Sequence, residues 1–107
     1  MPLLDRRIEV QENRGTHVLG KFVDDWQTLA SVWAQRRGAG TIDRETVGGI
    51  EEVEAVQFTV RYTPALASAA VGLLRVNESG GGLWNVEGRT ESDRRRRFLT
   101  FSCARSS

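Results

Sequence analysis

The sequence predicts an all-β fold, a small six-stranded barrel or sandwich with one long inter-strand loop. Short apolar–polar alternations recur along the chain, separated by Gly, Pro, Asn and Asp clusters. No segment carries an apolar repeat of helical period over helical length. Between two of the strands lies a connection, residues 38–54, that is too long for an ordinary turn.

The elements follow in order. Arg6 to Gln11 alternates, with Ile8 and Val10 on one face and Arg7, Glu9 and Gln11 on the other. Glu12 to Gly20 reads as a polar loop or hairpin end, and Phe22 to Trp26 as an extension of the next element. Leu29 to Arg37 is the second strand, with Ala30, Val32 and Ala34 on one face and Trp33 on the other. Val56 to Tyr62 has the clearest alternation in the chain and is stopped by Pro64, which cannot donate to a ladder. Ala65 to Ala70 suits a single helical turn. Leu73 to Glu78 and Leu83 to Gly88 form a strand pair across the Ser79–Gly82 turn, with Leu74, Val76, Trp84 and Val86 inward. Arg89 to Arg94 reads as a turn. The last strand, Arg96 to Ala104, points Leu99, Phe101 and Cys103 inward.

The chain has 107 residues and 39% apolar content, which suits one domain, residues 1–107, with one modest core. No apolar run reaches the ~20 residues that span a bilayer as a helix. The N-terminus lacks the basic-then-apolar order of a signal peptide, an expectation of cytoplasmic synthesis. Net charge is +1, so no global field draws the protein to nucleic acid. The cations are fourteen Arg and one Lys. Arginine favours planar, bidentate contacts and aromatic stacking, as protein interfaces do, although genomic base composition produces the same bias.

Catalytic chemistry finds little support. His17 is the sole histidine and stands in a polar turn, so neither a hydrolase triad nor a zinc site is expected. Cys103 is the sole cysteine and falls on an apolar strand face, where a buried thiol is expected. Glu51, Glu52 and Glu54 read as a solvated acidic patch rather than an acid–base pair. Gly38, Gly40 and Gly80 to Gly82 lack the strand–loop–helix context of a phosphate loop. No catalytic residue, cofactor or metal is expected.

Function therefore falls first on residues 38–54, GAGTIDRETVGGIEEVE, with four glycines and six charges. The run Arg94, Arg95, Arg96 and Arg97 is the sharpest charge feature. It reads as a solvated, aggregation-guarding hairpin entry, an intersubunit contact or a phosphate contact. Trp84 belongs to the core by alternation, whereas Trp33 is the interface candidate, since tryptophan and arginine are enriched at contact hot spots.

The order of motifs resembles a known family. Arg7-Ile8-Glu9-Val10-Gln11 is followed by a Gly20 turn, Trp26 and Leu29-Ala30-Ser31-Val32-Trp33-Ala34. After the long segment come Phe58-Thr59-Val60-Arg61-Tyr62, Arg75-Val76, Trp84-Asn85-Val86-Glu87 and an arginine-led Leu99-Thr100-Phe101-Ser102-Cys103. This resembles the head–tail adaptor, or head-closure (stopper), family of tailed bacteriophages and gene transfer agents, over roughly residues 6 to 104.

The resemblance implies a non-enzymatic neck protein at the head–tail interface of a virion, made in the bacterial host cytoplasm. It implies a ring, usually of twelve copies, with a portal adaptor above and a tail terminator or tail tube protein below. The long segment, with Thr41, Ile42, Asp43, Arg44, Glu45 and Thr46, would face the DNA channel and contact DNA transiently; Trp33 and Arg94 to Arg97 would meet neighbouring subunits or partners. Two rivals stand beside it. One is a tail terminator ring protein of the same particle. The other is a small-barrel nucleic-acid binder that uses Trp33 and the arginine run, which tight salt-dependent DNA binding by the isolated monomer would favour.

Overall fold

A computed structural model describes residues 3–91 and 97–106. Six strands close an antiparallel barrel in the order β1-β4-β5-β8-β7-β6, with β6 pairing back onto β1. They are β1 (Arg6–Asn13), β4 (Trp26–Thr46), β5 (Gly49–Arg61), β6 (Leu74–Glu78), β7 (Gly82–Glu91) and β8 (Phe98–Ser106). Closure removes the open edges that a flat sheet of this size would expose.

The alternations translate directly into the core. Ile8, Val10, Ala34, Val56, Phe58, Val60, Leu74, Val76, Trp84, Val86, Leu99, Phe101 and Cys103 are all buried. Each large side chain removed from water contributes about 1.5–3 kcal/mol. Phe58 meets Trp84 edge-on, with ring centroids 6.3 Å apart, the geometry that aromatic quadrupoles favour. Ala30 and Val32 are half-buried and pack against this core. On the outer face, Thr59 and Thr100 share a hydroxyl hydrogen bond of 3.1 Å across β5 and β8.

The far end of the barrel is plugged. After β5, the helix α1 (Pro64–Ser68) drops Leu66 into the core, and a 3-10 turn at Val71–Leu73 leads into β6. Arg89 Nη1 donates to the carbonyls of Leu66 (3.0 Å) and Ala69 (2.5 Å), satisfying acceptors that the short helix leaves open.

Several sequence expectations are corrected. The segment 38–54 is not a loop. Gly38 to Thr46 continues β4, Gly49 onward begins β5, and the two pair through Thr46↔Gly49 around a tight turn. Of Phe22 to Trp26 only Trp26 extends the second strand: β2 (Thr16–Val18) and β3 (Lys21–Val23) form a separate hairpin, and Asp24 and Asp25 divide it from β4. Arg89 to Glu91 is strand rather than turn, and β8 begins at Phe98.

β4 has 21 residues, which at about 3.3 Å per residue would extend roughly 66 Å. The longest dimension of the molecule is 46 Å, so β4 must bend. It carries two bulges, an extra residue at Leu29 against β1 and another at Ala39 against β5. Bulges of this kind kink a strand and re-aim it.

Candidate functional site: a tethered arm at the barrel mouth

β4 pairs with β1 only as far as Ala34, and β5 pairs with β8 only as far as Val53. Beyond those limits the two strands run on as a hairpin arm. From the bulge it reaches roughly 23 Å, the last ~15 Å with no third strand among the described residues. Gly40, just past the bulge, has φ +78°, a backbone state that glycine adopts without penalty. The arm therefore leaves the barrel at a glycine-permitted bend.

Alternation sorts the arm into two faces. Thr41, Asp43 and Glu45 on β4 lie opposite Glu54, Glu52 and Ile50 on β5, so one face is acidic. Arg44 and Glu51 pair across the other face. There Arg44 grips Glu87 bidentately, at 2.6 and 2.8 Å. Glu87 is the extra residue of a bulge in β7, between Val86 and Gly88. The hydrogen bonds from Arg44 hold the Glu87 carboxyl below the usual carboxylate range, against the opposing effect of desolvation. The same pair raises Arg44.

A second tether sits at the arm's base. Arg105 on β8 donates from Nε to Glu54 at 2.8 Å and from Nη1 to the Gly81 carbonyl. Its guanidinium lies 3.9 Å from the centre of the Trp84 ring, a cation–π contact. Trp84 Nε1 donates to Glu78 Oε1 at 3.3 Å, and Arg36 Nε stands 3.1 Å from Glu78 Oε2. Glu78 is buried, yet Oε2 accepts no directed hydrogen bond, so Arg36 serves it as a nearby charge. This cluster is the floor of the barrel mouth. The alternation Leu74, Val76, Glu78 points Glu78 inward, and that signal sits beside the charge that disguised it.

The other candidates are placed as follows. Asp43 and Glu45 are exposed along the arm, while the side chains of Ile42 and Thr46 lie outside the described residues. Thr41 joins Arg36, Gly38, Gly40, Glu54, Ala55 and Trp84 around a cleft under the arm. At the tip, Val47 and Ile50 are exposed. Trp33 is 53% exposed on the outer wall, with the Arg7 guanidinium 5.4 Å from its ring centre. Trp26 lies under Arg75, 4.0 Å from the ring centre. Arg97 is exposed, and its carbonyl accepts from Tyr62 N at 2.8 Å. Arg94, Arg95 and Arg96 fall outside the described residues. His17 is exposed and stacks edge-on against Phe22. Among the described residues no group of three or more His, Cys, Asp or Glu is arranged to hold a metal ion. No helix among them is long and apolar enough to cross a membrane.

Cys103 is buried, and desolvation pushes its thiol up to about 12. It should resist a thiol reagent at pH 8 in the folded chain and react at once in denaturant, as a colorimetric thiol assay will read. The raised value keeps the proton on the folded state. Stability therefore declines as pH rises from the ordinary thiol range toward about 12.

No curated protein matches the chain. A solved chain from the virion of a native gene transfer agent particle superposes with a TM-score of 0.74 at 22% identity, covering 100% of this chain and 98% of that one, which shows the shared fold. The family model for phage head completion proteins matches residues 1–106. A whole-chain match on a barrel of this kind settles the family: the chain belongs to the phage head completion proteins and is a structural component of the virion.

Proposed function

We propose that the protein forms a ring in the neck of a tailed phage or gene transfer agent particle, closing the DNA-filled head and joining the portal adaptor above to the tail terminator or tail tube below. The arm of residues 41–52 faces the DNA channel. Trp33 and Arg94 to Arg97 lie toward neighbouring subunits.

The acidic face of the arm carries this reading. Asp43 and Glu45 project together from a bent, doubly tethered hairpin. Carboxylates repel the phosphate backbone, so such an arm can lie beside duplex DNA without binding it. A protein that grips DNA would present the opposite charge there.

Deleting Gly40 to Gly49 tests it. Ala39 would then join Ile50, leaving five residues to return to Ala55, the partner of Gly40. The new turn takes up Val53 and Glu54 at the end of the β5–β8 ladder, while the pairs from Gly38↔Val56 and Ala55↔Ala104 inward are kept, so the variant should fold and enter particles. Those particles should lose packaged DNA, with titre or transduction down at least about tenfold. Normal DNA retention and normal titre in deletion particles would end the channel-arm reading.

A further inference from the structure

We infer that the β2–β3 hairpin is a docking knob, and that it seats on the Trp33 surface of a second copy of this chain. The inference rests on the ring reading above and names the contact that builds the ring. The knob shows the first signs. Val18, Leu19, Phe22 and Val23 are all exposed, on a two-stranded sheet that pairs with no other strand among the described residues. So small a hairpin is marginal unless something packs on it. Its own supports are local: Asn13 Oδ1 accepts from Gly15 N and Asp25 N, and Phe22 closes over Gly15, where a Cβ would lie 2.8 Å from Cζ.

Leu19 is the telling residue. It heads the turn at φ +52°, fully exposed, the described residue outside glycine with a positive φ. Asparagine, aspartate or glycine suits that position, and a branched apolar side chain does not. A strained residue held in full solvent is best explained by what its side chain meets.

The receiving surface has matching features. Trp33 and Tyr62 form an aromatic shelf beside Leu4 and Ser31, flanked by Arg7 and Arg61. Among the described residues neither arginine meets a carboxylate. At the foot of the knob, Asp24 and Asp25 are exposed and, among the described residues, their carboxylates accept only from neutral amides, Asn13 Nδ2 and Gln27 Nε2, each at 3.0 Å. An apolar knob with two unpaired carboxylates thus answers an aromatic shelf with two unpaired guanidiniums. The arm fits the shelf less well, because Glu51 and Glu52 are already engaged within the chain. Knob and shelf are different surfaces, so the contact is head-to-tail, the type that closes into rings.

Two measurements test this. Leu19→Asn should melt no lower than wild type, because asparagine relieves the turn, yet enter purified particles about tenfold less, the effect of losing a contact anchor. Incorporation at the wild-type level overturns the proposal. In parallel, Ser31 is replaced by photo-crosslinking benzoylphenylalanine in assembled particles. Capture of a residue 16–23 peptide from another copy supports the contact. Capture of the arm, capture of another virion protein, or no capture overturns it. Copy number per particle, counted by quantitative mass spectrometry, separates the two readings: several copies without hairpin capture sink the contact alone, and a single copy sinks the ring as well.

Discussion

Gly81→Ala is expected to destabilise the protein by about 2–3 kcal/mol, although the change adds one methyl group. A Cβ on Gly81 would lie 1.9 Å from Glu78 Oε1, 2.4 Å from Cδ and 2.9 Å from Cγ. Flexible surface carboxylates move aside cheaply, but Glu78 is buried under the barrel mouth. Its Oε1 accepts from Trp84 and its Oε2 faces Arg36, so displacing it breaks both contacts of a buried carboxylate. Relief by backbone movement at residue 81 would instead move its carbonyl away from Arg105 and loosen the base of the arm. Urea titration of Gly81→Ala, Glu78→Ala and the double variant will read the coupling. In the Glu78→Ala background the second substitution should have little further effect, leaving about 2 kcal/mol of interaction between the two sites. If Gly81→Ala is equally costly in both backgrounds, the clash with Glu78 is not the cause.

Much of the barrel was legible before any coordinates, because period-2 alternation is a direct image of an inside and an outside. Ile8/Val10, Phe58/Val60 and Leu99/Phe101 follow it without exception. The arm reads as a loop because its composition resembles that of one: glycines at 38, 40, 48 and 49, with charges between and after them. Yet Thr41 to Thr46 and Ile50 to Val53 are β-competent runs separated by a short glycine-bearing turn, and Ile42 faces Val53 in the ladder. The β2–β3 hairpin was hidden for a related reason. Its two-residue turn carries leucine at a position where the usual signal is asparagine or aspartate. The tethers were less accessible still. Arg44 and Glu87 are 43 residues apart, and their meeting depends on a bulge that exposes Glu87 on one side of β7. No local pattern encodes such a pair; it exists only once β4 has bent and the barrel has closed.

Arg44→Glu is expected to release the arm while leaving the barrel folded. The pair it removes is half-exposed, and surface ion pairs of this kind add little to global stability. Their geometric effect is larger, because the bidentate fork fixes the arm's angle against β7. The reversed charge would face both Glu87 and its cross-strand neighbour Glu51, so repulsion replaces the grip. Spin labels at Val47→Cys and Asn85→Cys will report this by electron–electron distance, and buried Cys103 will not compete for the label. Wild type should give a narrow distribution, Arg44→Glu a broad one, and Arg44→Glu with Glu87→Arg a narrow one again. Particle titre should follow, falling about tenfold in the single variant and recovering in the swap. Acid offers an independent handle. Arg44 depresses the Glu87 carboxyl, so the tether is complete above the usual carboxylate range and is lost as pH falls through the lowered value. The wild-type distribution should therefore stay narrow at neutral pH and broaden only in strong acid. An unchanged distribution in Arg44→Glu would mean that strand pairing and the Arg105–Glu54 contact hold the arm without this tether.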